Sequence, residues 1–345
     1  MQLNRQSFLQ QLELIQKCSS TSINEDVSDK IIFYENGVLN ISRGRLVTIL
    51  DGGYEFEGVF PIENLLKIVK AMSGEDIKLE MIEDDLKGRE LKIISNSKLG
   101  LKPIAIEGVE KRIENALKAV ADLEFKPLPK NFIQGLTSIL KCTPNDKTTP
   151  ALNFVAVRNG HLAATDNLRL GDFTLSKKFP SDFLIDNYNV QPIIDFNPIS
   201  YVLKEDRIIF NRDNDFQICA ISPSNYPDFS KIVNRKADMS IILPEELKEL
   251  VFLAQQIPGK SNDRNMKIGI SKNKISLECN TMSGWFRKNL RVDYSGNPIT
   301  FSINLNVLAD VLSGIGNEIH ISNEGTGIIH NDNFNYCFPI EIEGV

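Results

Sequence analysis

No apolar run in this 345-residue chain approaches the roughly 20 residues a helix needs to cross a bilayer. The opening residues, Met1-Gln2-Leu3-Asn4-Arg5, lack the basic-then-apolar layout of a secretory leader. The expectation is a cytoplasmic protein. Cysteine is sparse: Cys18, Cys142, Cys219, Cys279 and Cys337 are odd in number and show no CxxC spacing. That pattern excludes a disulfide framework and a zinc knuckle, and points to free buried thiols in a reducing compartment. Histidine is rarer still, and His161, His320 and His330 are isolated in sequence, so no metal cluster is visible and no cofactor is expected. Gly52-Gly53 and Gly325-Thr326-Gly327 lack the Lys-Ser/Thr or the helix that completes a phosphate-cradling loop. Positive charge is also short, with 39 Lys and Arg against 45 Asp and Glu for a net charge of −6. A protein that coats nucleic acid with a basic surface is disfavoured.

What is present is a repeat. Apolar content of 42% and charged content of 24% are those of a soluble globular chain. The length suggests two or three domains. Residues 5–17 put Phe8, Leu9, Leu12 and Ile15 on one helical face. Residues 131–141 do so with Phe132, Ile133, Leu136, Ile139 and Leu140. Residues 245–257 follow with Leu247, Leu250, Val251, Ala254 and Ile257, after Pro244 at a favoured first helical position. These starts recur at roughly 115–125 residues, one small domain each. A second helix is expected in each repeat: 62–72, a short one from Val190 to Phe196 limited by Pro192 and Pro198, and 304–315.

Between the helices lie β-type runs split by turn residues. Ile31–Tyr34 and Val38–Ser42 flank Glu35-Asn36-Gly37, and Phe154–Val157 and His161–Ala164 flank Asn159-Gly160. Lys267–Ile270 and Lys274–Glu278 flank Lys272-Asn273. Asn-Gly between alternating segments predicts a hairpin. The pattern predicts an α+β chain of three similar domains. The Pro-rich stretch Leu123-Glu124-Phe125-Lys126-Pro127-Leu128-Pro129 and the polar Asn234-Arg235-Lys236-Ala237 set the boundaries 1–123, 124–235 and 236–345. Residues 109–121 read as a further helix.

Three short signatures then stand in order: Ala163-Ala164-Thr165-Asp166-Asn167-Leu168-Arg169-Leu170, Tyr226-Pro227-Asp228-Phe229, and Tyr336-Cys337-Phe338-Pro339-Ile340-Glu341-Ile342, the last preceded by Val292-Asp293-Tyr294-Ser295-Gly296. In this order and spacing the chain resembles the β subunit of bacterial DNA polymerase III, the sliding clamp family, as a divergent, phage-like version. The resemblance implies three sliding-clamp domains, each two helices packed on antiparallel sheets, assembling into a closed ring. It also implies a non-catalytic processivity factor that encircles duplex DNA without sequence preference, as a homodimer. Residues 109–121 depart from it, since the family usually has an extended connection there.

Asp166 and Arg169, with His161 nearby, invite a catalytic reading, but no nucleophile, base and orienting group are visible together. The plainer reading is a capped turn in which Arg169 pairs with a carboxylate. The resemblance gives this region another use, as the wall of an apolar groove for polymerase and clamp-loader peptides. Carried over by position, the lining is Leu152, Thr165, Asn167, Leu168, Leu170, Val307, Phe338, Pro339 and Ile340. Asn167-Leu168 replaces a Gly-His pair and Val307 an aromatic. DNA-facing cations are expected among Arg5, Lys17, Lys67, Lys70, Lys130, Lys141 and Lys248, opposed by acidic residues on the same helices. Leu99 and Leu101 align with the family's first-domain interface strand and Ile257 with its third-domain partner. Trp285 is expected as a core or edge anchor. Glu343-Gly344-Val345 continues past the family's usual end, beside the predicted groove. The rival expectation is a clamp-fold scaffold that binds partner peptides without encircling DNA.

Overall fold

A computed structural model describes residues 1–19, 28–42, 46–84, 88–144, 152–223, 226–258, 264–292, 294 and 296–343. Asp293, Ser295, Gly344 and Val345, which belong to signatures noted above, lie outside the described residues. The chain divides into two compact units, Met1–Thr137 with Phe179–Ser224, and Ser138–Lys178 with Asn225–Val345. The expected middle domain, 124–235, is therefore shared between them. Strand pairing explains this: Asp215–Ser222 pairs with Leu46–Asp51, while Leu170–Thr174 pairs with Phe334–Pro339. No described helix is long and apolar enough to cross a membrane.

The first unit holds the helices α1 (Arg5–Cys18), α2 (Ile62–Ala71), α3 (Val109–Val120), the start of α4 (Phe132–Ile139), and α5 (Asn187–Phe196). The Asn4 side chain caps α1 by accepting the Ser7 N–H at 3.0 Å. Phe8, Leu12, Ile15 and Cys18 form its buried face, against α2 and α5. One sheet has four strands in the order Gln2–Asn4, Asp76–Asp84, Gly88–Ile94, Lys98–Leu101. A second runs from Gly58–Pro61 through Lys30–Tyr34, Gly37–Ser42 and Leu46–Asp51 to Asp215–Ser222.

α3 forms as its periodicity predicts. It lays Val109, Ile113, Ala116, Ala119 and Val120 over a core of Ile32, Leu39, Ile49, Val59, Ile209 and Ile218. Ala116 is buried and the other four are half-buried there, and covering this core with one apolar stripe is what favours a helix here. α5 is longer than expected. Asp186 caps it by accepting the Tyr188 N–H at 2.9 Å, and Asn197 ends it in the left-handed region at φ 52°. Pro192 lies inside it, and its carbonyl accepts from the buried Gln217 amide at 3.4 Å.

The second unit carries α6 (Ser230–Val233), α7 (Leu247–Gln255) and α8 (Leu305–Asp310). Pro244 does not occupy the first helical position; its carbonyl accepts from Leu247, where α7 begins. α8 is shorter than the expected 304–315, because regular geometry is lost after Asp310 in a wide turn, Val311–Ile315, with Gly314 at φ 128°. One sheet orders Met239–Ile242, Glu318–Ser322, Thr326–Asn331, Phe334–Pro339, Leu170–Thr174, His161–Thr165 and Phe154–Arg158. The other orders Gly284–Leu290, Lys274–Thr281, Asn265–Ser271, Ile299–Asn304 and Glu341–Ile342. The predicted hairpins close where expected: Asn36, Asn159 and Asn273 all have positive φ.

Candidate functional site: the turn at Asp166 and its neighbours

Strand His161–Thr165 ends in a tight turn before strand Leu170–Thr174. Asn167 sits at its corner with φ 73°, a conformation that glycine and asparagine tolerate best. Asp166 Oδ1 accepts the backbone N–H of Leu168 at 3.0 Å and of Arg169 at 2.8 Å. Its Oδ2 accepts from Arg169 Nε at 2.9 Å and Nη2 at 2.7 Å. Thr165 Oγ1 donates to the Arg169 carbonyl at 2.7 Å. Arg169 Nη1 then reaches Asp310 at the end of α8. Burial works against the guanidinium charge, but the Asp166 hydrogen bonds and charge outweigh it and hold the Arg169 pKa above its ordinary value.

This arrangement disposes of a catalytic triad. His161 Nδ1 faces Asp172 Oδ2 at 3.2 Å, while Asp166 is fully engaged with Arg169 and the turn backbone. Asp166 shapes and anchors the turn. Asp310 was not legible as a partner, since it meets Arg169 only through packing of segments far apart in sequence. Asp172 meets His161 across the hairpin that joins their two strands.

The residues carried over as a groove fall into five places. Thr165, Asn167 and Leu168 make the turn, and Val307 lies buried on α8, the helix that Asp310 ends. Phe338, Pro339 and Ile340 close the last long strand, with Phe338 and Ile340 buried and Pro339 exposed. A Cβ at Gly327 would fall within the Phe338 ring, so these two are in close contact. Leu170 faces elsewhere, packing with Ile328 and Cys337 under Phe229, Ile232 and Val233 of the linker around α6. A cleft of about 530 Å³ opens beside it, lined by Arg158, His161, Asp172, Tyr226, Phe229 and Asn335. Leu152 is buried ahead of strand Phe154–Arg158.

The expected DNA-facing cations are largely engaged within the chain. Arg5 donates to the Gly74 carbonyl at 2.8 Å and to Val69 at 3.4 Å, capping the C-terminus of α2. Lys17 lies 3.8 Å from Asp195, Lys67 2.6 Å from Glu63, and Lys70 2.9 Å from Glu13. Lys130, Lys141 and Lys248 are exposed, the last beside Glu245, Glu246 and Glu249.

Two of the sheet edges carry exposed apolar side chains that bear on assembly. Lys98–Leu101 pairs only with Gly88–Ile94, and its Leu99 is exposed while Leu101 is half-buried. Gly284–Leu290 pairs only with Lys274–Thr281 and carries Trp285, 69% exposed, with Arg287 over its ring. Trp285 is thus an edge residue and not a core one. Ile257 is half-buried against Gly284, and Phe252 and Leu253 stand exposed on α7.

No protein-family model matches the chain. A β sliding clamp of Chlamydia pneumoniae is 26% identical over 178 residues, 48% of this chain and 48% of that protein. The match thus spans about half the length of that relative. The β sliding clamp of C. crescentus superposes with a TM-score of 0.77 at 16% identity, over 100% of this chain and 98% of that one. The β subunit of the Streptococcus pyogenes DNA polymerase does so with a TM-score of 0.74 at 18% identity, over 98% of each. From end to end, this chain has the sliding-clamp fold of the bacterial DNA polymerase III β subunits.

Proposed function

We propose that the chain is a sliding clamp: a homodimeric ring that encircles duplex DNA and tethers a polymerase, doing no chemistry itself. The observation that carries this reading is the whole-length fold match, to proteins described as a β sliding clamp and a β subunit of DNA polymerase. Tethering raises the polymerase's effective concentration at the primer end, so dissociation ceases to limit product length. Domains 1–123, 124–235 and 236–345 are the proposed repeats, acting in the cytoplasm. Few free cations suit this role, because topology and not affinity would hold the ring on DNA.

Ring closure needs a head-to-tail contact repeated about a two-fold axis. The open edge at Leu99 and Leu101 would meet the open edge at Trp285 and Ile257 of a second copy, with Phe252 and Leu253 alongside. Polymerase and clamp-loader peptides would enter between the Leu168 turn and the Phe338–Ile340 strand end. There a short extended peptide gains most of its affinity from one or two buried anchors. Sedimentation velocity tests the ring. The expected mass is twice 38.8 kDa, falling to that of one chain when Leu99 and Leu101 are both replaced by Asp. A wild-type monomer at micromolar concentration would remove the ring and favour a peptide-binding scaffold of the same fold.

A further inference from the structure

His320 and His330, isolated in sequence, are neighbours in space. They lie on the paired strands Glu318–Ser322 and Thr326–Asn331, where His320 is opposite Ile328, with Glu318 two residues before His320 and His330 two residues after Ile328. The two imidazole centres are 5.2 Å apart with their planes tilted by 48°. Two imidazoles sharing a tetrahedral ion at the usual metal–nitrogen distance hold their ring centres about 5 Å apart. The Glu318 carboxylate is the third candidate ligand, with Oε1 3.9 Å from His320 Nε2. Glu318, His320 and His330 alternate on one face of a two-stranded ribbon, the spacing that lets three side chains converge.

A second, independent observation concerns orientation. His330 Nδ1 lies 2.7 Å from Asn335 Oδ1. Asn335 Nδ2 in turn lies 3.5 Å from Asp172 Oδ2, and a carboxylate oxygen can only accept. The amide therefore presents its oxygen to His330, and Nδ1 must be the protonated nitrogen. That leaves the lone pair of His330 on Nε2. A ligating histidine commonly donates its other N–H in this way to a carbonyl or carboxylate partner, which fixes its tautomer and ring direction.

We propose that His320, His330 and Glu318 form a site for one divalent transition-metal ion of the zinc class, with water completing the coordination. Among the described residues no three such groups are already gathered around a common point, so binding requires the Glu318 side chain, 51% exposed, to turn inward. Imidazole nitrogens select zinc, nickel and copper over magnesium and calcium. The five cysteines are buried and do not compete.

The test is calorimetric titration of the untagged, chelator-stripped chain with Zn²⁺. One ion per chain is expected, with affinity reduced at least tenfold in His320→Ala and in His330→Ala. His161→Ala serves as the control and should leave binding unchanged. Asn335→Leu removes only the orienting partner and should weaken binding about 10–100-fold. His330 is exposed and His320, Asn335 and His161 half-exposed, and melting temperature checks that each variant folds. Absence of binding, or equal affinity in the wild type and both histidine variants, would overturn the site. So would a loss confined to His161→Ala.

Discussion

Arg169→Met removes the cation between two carboxylates and leaves most of the packing volume in place. The side chains of Arg169, Asp166 and Asp310 are 18%, 11% and 25% exposed. Removing one partner from a buried pair costs about 3–5 kcal/mol, and the residual solvent at Asp310 places this case at the lower end, about 3 kcal/mol. For a unit of this size each kcal/mol moves the midpoint by about 2–4 °C, so melting of the second unit should fall by about 6–12 °C. Scanning calorimetry reads this directly. Adding Asp310→Asn to Arg169→Met should restore part of the loss, since it removes an uncompensated charge. Asp166→Asn keeps the Oδ1 acceptor for the two turn N–H groups, and should cost less than Asp166→Ala. A shift within about 2 °C for Arg169→Met, or no recovery in the double variant, would refute the claim that this network pins the turn to α8.

Asn167→Gly should be close to neutral, whereas Asn167→Val forces a β-branched residue to positive φ and should cost about 1–2 kcal/mol, checked by urea unfolding. Burial pushes the Cys18, Cys219 and Cys337 thiols up to about 12 from 9.0, and raises Cys142 as well. Ellman's reagent should therefore find no reactive thiol in the native chain and five in denaturant. Because these folded-state values are raised, their contribution to stability is complete below pH 9 and is lost as pH climbs toward 12. Alkaline melting curves should fall through that window. Both proposed ring edges are basic, with Lys98 and Lys102 on one and Arg287 and Lys288 on the other. Raising salt from about 0.1 to about 1 M, which shortens the screening length from about 10 to about 3 Å, should leave the dimer intact or tighter. Dissociation by salt would show that ion pairs hold it.

Local pattern carried the helices well where one apolar stripe faced one core. α1 and α2 were legible from Phe8, Leu12, Leu65 and Val69, and α3 from Val109, Ile113 and Ala116. The second helix of the middle repeat was underestimated because Pro192 suggested a break, while the Asp186 cap starts it at Asn187, three residues earlier than the apolar run suggests. α8 was overestimated, since apolar spacing continues through Leu312 and Ile315 while Gly314 redirects the backbone. At the site, the turn and the pairing of Arg169 with a carboxylate were legible from Asp166-Asn167. The identity of the second carboxylate, Asp310, was not, because nothing local links residues so far apart. Charge suffered the same blindness. Arg5, Lys17 and Lys70 each find their partners on another element, so an exposed lysine on a helix face gave no sign of being engaged.

Retention on DNA of different topology tests the sliding clamp most directly. The chain is assembled from monomers in the presence of nicked circular plasmid, and the complex is isolated by gel filtration before and after a single restriction cut. A ring around the duplex should remain on the circle and run off the linear form. Equal retention on both would mean ordinary surface binding, and retention on neither would mean that the chain does not encircle DNA.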